Sequence, residues 1–137
     1  MNKPTIAVDF DGVIYQRPKS ERGNMVYLAP PVAGAMNFIR FLTSAFEVVI
    51  FSSRFTGERA EESIQSCKDW FLRQLHHEVL ICIAQDKPRF DPQEIFDKLQ
   101  FTAIKPIARV YLDDRAVKFS GQFPRIPDLL NFKTWLE

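Results

Sequence analysis

The chain has 137 residues, of which 46% are hydrophobic and 26% are charged, and its formal net charge is +1. This length suits one domain with a substantial core and is too short for two. The balanced charge gives no sign of a surface for bulk polyanion binding. No apolar stretch reaches the length of a membrane span or a secretory core, and Cys67 and Cys82 are isolated, as in a reducing compartment. We therefore expect a cytoplasmic protein in which both cysteines are packing residues.

Predicted strands and helices alternate along the chain, which is typical of an α/β fold. Short apolar runs predict strands at about 5–10, 47–52, 79–84 and 108–113. Helical periodicity and capping residues predict helices at about 31–44, 57–75, 91–100 and 129–136. The two middle strands are nearly continuous in apolar residues, as in parallel strands covered on both faces. We predict a Rossmann-like, doubly wound sheet of mainly parallel strands with helices on both faces, in a single domain over 1–137.

The most informative motif is Asp9-Phe10-Asp11-Gly12, which follows the first predicted strand. Side chains alternate faces along a strand, so Asp9 and Asp11 point the same way. Two neighbouring carboxylates are unfavourable unless a cation or a proton neutralises them, which indicates a metal site or coupled acid/base chemistry. An ordinary acidic turn would contain the same residue types.

Further polar residues are predicted at the same edge of the sheet. Ser52-Ser53-Arg54 ends the second strand, Asp113 and Asp114 end the fourth, and Lys105 lies just ahead of the fourth. Because ligands of doubly wound sheets bind beyond the carboxyl ends of the strands, we expect these residues to form one site. Ser52 could instead cap the following loop, and Lys105 could belong to a surface bend.

Taken in order, these motifs resemble those of the haloacid dehalogenase-like superfamily, namely Asp-x-Asp, Ser, Lys and an acidic pair, over residues 5 to about 118. The resemblance implies an Mg²⁺-dependent phosphatase that works through an aspartyl-phosphate. Asp9 would be the nucleophile and Asp11 the general acid and base, with Ser52 and Lys105 as a catalytic clamp on the phosphate. The metal would be held by Asp9, the backbone carbonyl of Asp11 and one of the last acidic pair, with Asp114 favoured over Asp113. Hard oxygen ligands without convergent His or Cys favour Mg²⁺ over zinc.

The spacing of the motifs leaves little room for the cap domain that superfamily members acting on small metabolites usually carry. We therefore expect an open site, shielded only by a flap loop at about 12–28 whose cations are Arg17, Lys19 and Arg22. Ser52-Ser53-Arg54 is similar to the Ser-Gly-Arg segment of phage-type polynucleotide 3′-phosphatase domains, which implies that Arg54 helps to bind phosphate. The residues predicted to bind substrate are Gly12, Ser53 and Arg54. Asp-Asp-Arg at 113–115 recurs in those domains and also in deoxyribonucleotidase-like members.

The expected substrate is a phosphorylated small molecule or a nucleic acid end, although the net charge does not indicate nucleic acid. The oligomeric state is left open. An alternative is a non-catalytic module that binds a phosphorylated ligand on the same scaffold. A phosphotransferase or dehalogenase on the same nucleophile is a third option, and Asp11 disfavours a dehalogenase because those relatives usually lack the second Asp of the first motif.

Overall fold

The computed structural model describes residues 2–21 and 27–134, and it contains one parallel four-stranded sheet with helices. The strands are β1 (Thr5–Asp9), β2 (Glu47–Phe51), β3 (Leu99–Thr102) and β4 (Val110–Leu112). The helices are α1 (Ala35–Ala45), α2 (Ala60–Ala84), α3 (Pro92–Asp97) and α4 (Ile126–Leu130), and a 3₁₀ turn covers Ser53–Phe55. The prediction of an α/β fold with parallel strands is confirmed.

Alternation along the two central strands places their larger apolar side chains in one core. Ile6 pairs with Val48 and Val8 pairs with Ile50, and all four are buried. They share a hydrophobic cluster with side chains of α1 and α2, including Ile39 and Trp70, so both helices cover this face of the sheet. The placement agrees with right-handed crossovers that advance in one direction from β1 through β2 to β3.

The predicted strand at 79–84 is wrong, because these residues form the last turns of α2, which is one helix of 25 residues. The buried positions of α2 continue at helical spacing from Cys67 and Phe71 through Leu75 to Cys82. No Gly or Pro separates 75 from 79, and a short apolar run without a breaker has the same appearance in a strand and in a buried helix. Both cysteines are buried, as predicted for packing residues.

The third strand lies instead within and just beyond the helix predicted at 91–100. Asp91 caps α3 as expected, but α3 ends at Asp97 and β3 begins at Leu99. Leu99 is buried against the core, and β3 pairs with β2 from Val48↔Leu99 to Phe51↔Thr102. Pairing with an existing strand therefore outweighs the helical tendency of this segment.

The strand order is β3-β2-β1-β4, so residues 103–109 return the chain past two strands and place β4 beside β1. The three residues of β4 are exposed at the edge of the sheet, and residues 115–131 are exposed as well. The last predicted helix is present as α4, which starts earlier, at Ile126, and ends at Leu130; residues 135 and 136 of its predicted range lie outside the described residues. No helix in 2–21 or 27–134 is long and apolar enough to cross a membrane.

Two leucines of α2 test the helical assignment of its second half. Leu75 is fully buried, whereas Leu80 is 62% exposed. We expect Leu75→Ala to lower the free energy of unfolding by about 2–5 kcal/mol and Leu80→Ala to lower it by less than about 0.5 kcal/mol. Urea denaturation of both variants measures this difference. Equal, large losses would indicate that residues 79–84 form a buried strand.

Candidate active site

The polar residues at the strand ends meet around one cavity of about 290 Å³. Of the predicted site residues, those that line it are Asp9, Asp11, Ser52, Ser53, Lys105 and Asp113. Lys105 follows the carboxyl end of β3 and therefore lies at this edge of the sheet. The sequence pattern did not predict a strand at this position. The cavity lies where the chain reverses direction across the sheet, between β1 and β4, which is the usual ligand position in open parallel sheets.

Asp9, Asp113 and Asp114 form a compact carboxylate group. Pairing of Val8 with Leu112 brings the ends of β1 and β4 together, and one carboxylate oxygen of each aspartate lies within 4.8 Å of the others. Three hard oxygen donors so close together suit a divalent cation such as Mg²⁺. Asp11 was predicted at the metal through its backbone carbonyl, and its carboxylate is outside this group of three.

Crowding changes the protonation of Asp9. Burial, as the largest cause, and the charges of Asp113, Asp114 and Asp11 together raise its pKa from 3.8 to about 7. A cation held by the group would act in the opposite direction, because it stabilises the ionised carboxylate. A positive charge beside Asp9 would therefore favour its ionised form.

Asp113 is held by hydrogen bonds at both of its oxygens. The Nζ of Lys105 donates to Oδ2 at 3.0 Å, and the backbone N–H of Arg115 donates to Oδ1 at 2.9 Å. The Lys105 ammonium also lies over the rings of Phe51 and Tyr111, with its Nζ 5.2 and 4.7 Å from their centroids. Lys105 is thus fixed at the cavity by an ion pair and two aromatic faces.

Asp11 is bound differently, by a buried guanidinium. Arg54 donates from Nη2 to Oδ1 at 2.5 Å and from Nε to Oδ2 at 3.1 Å, and the Ser52 hydroxyl donates to Oδ2 at 3.3 Å. The fork is the strong, bidentate form of a charge-assisted hydrogen bond. It fixes the orientation of the Asp11 carboxylate at the wall of the cavity.

Arg54, predicted to bind substrate, is 3% exposed and is not among the described residues that line the cavity. Besides Asp11, it binds Glu21, whose Oε1 accepts from Nη1 at 2.6 Å, and its guanidinium carbon lies 4.5 Å from the Tyr27 ring centroid. Burial disfavours the charge of Arg54, but the bonds to Asp11 and Glu21 outweigh it and raise the pKa above its ordinary value.

Gly12 and Ser52 have structural roles in the local backbone. Gly12 has a φ of 82°, in the left-handed region that favours glycine, and its N–H donates to the carbonyl of Tyr15 at 3.0 Å. Gly12 is absent from the cavity lining formed by the described residues. The hydroxyl of Ser52 accepts from the Arg54 N–H at 3.1 Å and caps the 3₁₀ turn. The capping interpretation of Ser52 is therefore confirmed, although Ser52 also lines the cavity.

The described part of the flap is joined to the core by Tyr15 and Tyr27, which are both buried. Tyr15 stacks on Phe10 with ring centroids 5.1 Å apart, and the Trp70 indole donates to the Ala29 carbonyl at 3.0 Å. Arg22 and the other residues from 22 to 26 lie outside the described residues. Tyr15 and Tyr27 thus anchor the described parts of the flap in the hydrophobic core.

Two cations that line the cavity, Arg17 and Arg115, were not predicted as site residues. Arg17 was visible in the sequence only as one charge of a basic loop. Arg115 stands directly after the acidic pair at a strand end, which is a signal that could have identified it. Glu21 carries no sequence signal at all, because its partner Arg54 is 33 positions away.

No protein-family model matches the chain, and comparisons with curated proteins and with solved structures also find no match. Any functional assignment therefore depends on the residues and the geometry described above.

The two aspartates of the first motif should have opposite effects on stability. Above pH 7 without divalent cations, Asp9→Asn should raise the free energy of unfolding, because it removes a charge that burial and three acids disfavour. Asp11→Asn should lower it by about 3 kcal/mol, because it weakens the partner of a buried guanidinium. Urea denaturation in EDTA measures both changes. A change of the same sign in the free energy of unfolding of both variants would contradict this description.

The effect of Asp9 on stability should depend on pH. Its pKa is about 7 in the folded chain and 3.8 unperturbed, so between these values the folded state binds more protons than the unfolded state. The contribution of Asp9 is therefore most favourable below about pH 4 and is lost as the pH rises to about 7. In metal-free thermal unfolding, the melting temperature of Asp9→Asn should therefore rise relative to that of the wild type as the pH increases across this window. An advantage that is constant with pH would contradict the raised pKa.

Proposed function

We propose that the chain is an Mg²⁺-dependent phosphatase of the haloacid dehalogenase-like type, which hydrolyses a phosphomonoester through a phosphorylated Asp9. The observation that carries the proposal is the carboxylate group of Asp9, Asp113 and Asp114 beside a cavity that is also lined by Lys105, Arg17 and Arg115. Donors for a metal and cations for a phosphate thus occur together. Phosphoryl transfer depends on this combination, because its catalysis consists almost entirely of positioning the reactants and stabilising their charge.

Asp9 is the nucleophile in the first step of the proposed reaction. A carboxylate oxygen of Asp9 attacks phosphorus, the Asp9–phosphate bond forms, and the bond to the ester oxygen breaks. When bound, Mg²⁺ would be held by Asp9, Asp113 or Asp114 and the Asp11 carbonyl, and would neutralise charge on the carboxylates and the phosphate. Lys105, oriented by Asp113, supplies a second positive charge.

Asp11 has the proton-transfer role in the proposal. Asp11 enters the first step with a proton, gives it to the leaving oxygen, and recovers a proton from the water that attacks phosphorus and frees Asp9. The support for this role is its place in the lining of the cavity and the fixed orientation that Arg54 and Ser52 give to its carboxylate. A fixed carboxylate is what a base acting on a positioned water requires.

The finer features of the fold are part of the same proposal. The order β3-β2-β1-β4 is that of the first four strands of a doubly wound sheet, which supports the Rossmann-like assignment. Helices on both faces, a single capless domain and a cytoplasmic location remain predictions. The proposed substrate is a small phosphorylated molecule or a nucleic acid end that reaches an open cavity.

The test is a phosphatase screen with Mg²⁺ on nucleoside monophosphates, 3′-phosphorylated oligonucleotides and sugar phosphates. Asp9→Asn should reduce turnover at least about a thousandfold, because the nucleophile is lost. Asp69→Asn is the matched control, since Asp69 is exposed on α2 away from the cavity, and it should leave turnover unchanged. EDTA should abolish turnover in the wild type.

Two outcomes would contradict the phosphatase. Undiminished turnover by Asp9→Asn would exclude Asp9 as the nucleophile. Binding of inorganic phosphate by the wild type without turnover of any substrate in the panel would favour the module that binds a phosphorylated ligand without catalysis.

A further inference from the structure

Among the described residues, two guanidinium groups contact Asp11, and they differ in how firmly each is held. Arg54 is bound by Asp11 and Glu21 through three short hydrogen bonds and is 3% exposed. To reach a phosphate, Arg54 would have to leave two carboxylates, Asp11 and Glu21, buried without their main partner. Breaking one side of a buried ion pair is among the most costly changes in a protein. Arg54 is therefore held in place and unsuited to exchange its partners for a substrate.

Arg17 has the opposite properties. Its side chain lines the cavity and is 18% exposed, and its Nη1 lies 3.5 Å from Asp11 Oδ2, a longer contact than those of Arg54. Its Nη2 also donates to the Glu21 carbonyl at 3.4 Å. If Arg17 exchanged its contact with Asp11 for a stronger partner, Asp11 would keep the hydrogen bonds from Arg54 and Ser52. A guanidinium can also form two parallel hydrogen bonds with phosphate oxygens.

The segment that carries Arg17 is attached to the buried arginine by Glu21. One oxygen of Glu21 accepts from Arg54 Nη1 at 2.6 Å, and the other accepts from the Tyr15 hydroxyl at 2.7 Å. The Arg17 N–H donates to the Tyr15 carbonyl at 2.8 Å, so Arg17 lies within the turn that Glu21 closes. Glu21 thus joins both ends of the turn 15–21 to Arg54.

We propose that Arg17 is the guanidinium that binds the phosphate of the substrate, and that Glu21 and Arg54 are positioning residues that hold Arg17 at the cavity. This inference rests on the proposed phosphatase function and names a further residue of the same site. It assigns Arg54 to the wall of the site, although the sequence predicted Arg54 as the phosphate ligand.

The experiment measures binding of inorganic phosphate by isothermal titration calorimetry with Mg²⁺ present, together with KM and kcat on the best substrate of the screen. Arg17→Gln should weaken phosphate binding and raise KM by about tenfold or more, since it removes a charge-assisted hydrogen bond. Lys19→Gln removes an exposed charge from the same segment and should change both by less than about twofold.

Glu21→Gln tests the positioning role. It should raise KM and weaken phosphate binding in the same direction as Arg17→Gln, with kcat little changed, and Glu21→Asp should restore part of the affinity. Thermal unfolding is used to check that each variant is folded at the assay temperature. If Glu21 had only a structural role, Glu21→Gln would lower the melting temperature without changing phosphate affinity.

The outcomes separate the two proposals. If the wild type binds phosphate and turns over substrate but Arg17→Gln does so equally well, the inference on Arg17 is overturned and the phosphatase stands. If Glu21→Gln is folded and binds phosphate like the wild type, the positioning role is overturned. If the wild type neither binds phosphate nor hydrolyses any substrate, the proposed function fails and the inference fails with it.

Discussion

Repulsion among carboxylates at one edge of the sheet is the constraint on which the rest of the site depends. Pairing of β1 with β4 brings Asp9 close to Asp113 and Asp114, and the turn after β1 adds Asp11. Arg54 binds Asp11 and Lys105 binds Asp113, so cations of the protein compensate these two charges. Asp9 is instead compensated by a raised pKa. The raised pKa of Asp9 thus occurs at the position where the reaction is proposed to take place.

The parts of the fold that could be predicted are those in which local patterns and tertiary structure agree. β1, β2 and β4 lie close to their predicted ranges because each is a short apolar run that ends in polar residues. The segment 79–84 lacks a terminating turn, so its pattern cannot distinguish a strand from the end of a helix. β3 is short, and only its pairing with β2 distinguishes it from the helix before it. This error concealed why Lys105 is at the sheet edge.

The site shows a similar division between residue type and residue partner. The sequence predicted that carboxylates and cations would gather at the strand ends, because parallel strands align those ends. It could not predict which cation binds which acid, because Arg54 and Glu21 are 33 positions apart and meet only in the folded chain. Arg54 has the residue type of a phosphate ligand and the burial of a structural ion pair. Ser52 likewise caps a turn and lines the cavity at once.

The pairing of β1 with β4 also has a consequence for the order of folding. It joins Ile6 to Val110, which are separated along the chain by two strands and three α-helices, whereas β1 and β2 are connected through a single helix. Closing so long a loop carries a larger entropic cost, so we expect β4 to dock late on a sheet that β1, β2 and β3 have already begun. Asp9 meets Asp113 and Asp114 only at that stage. A folding intermediate made of β1, β2 and β3 would therefore contain the buried core and Asp9, but not the other two members of the carboxylate group.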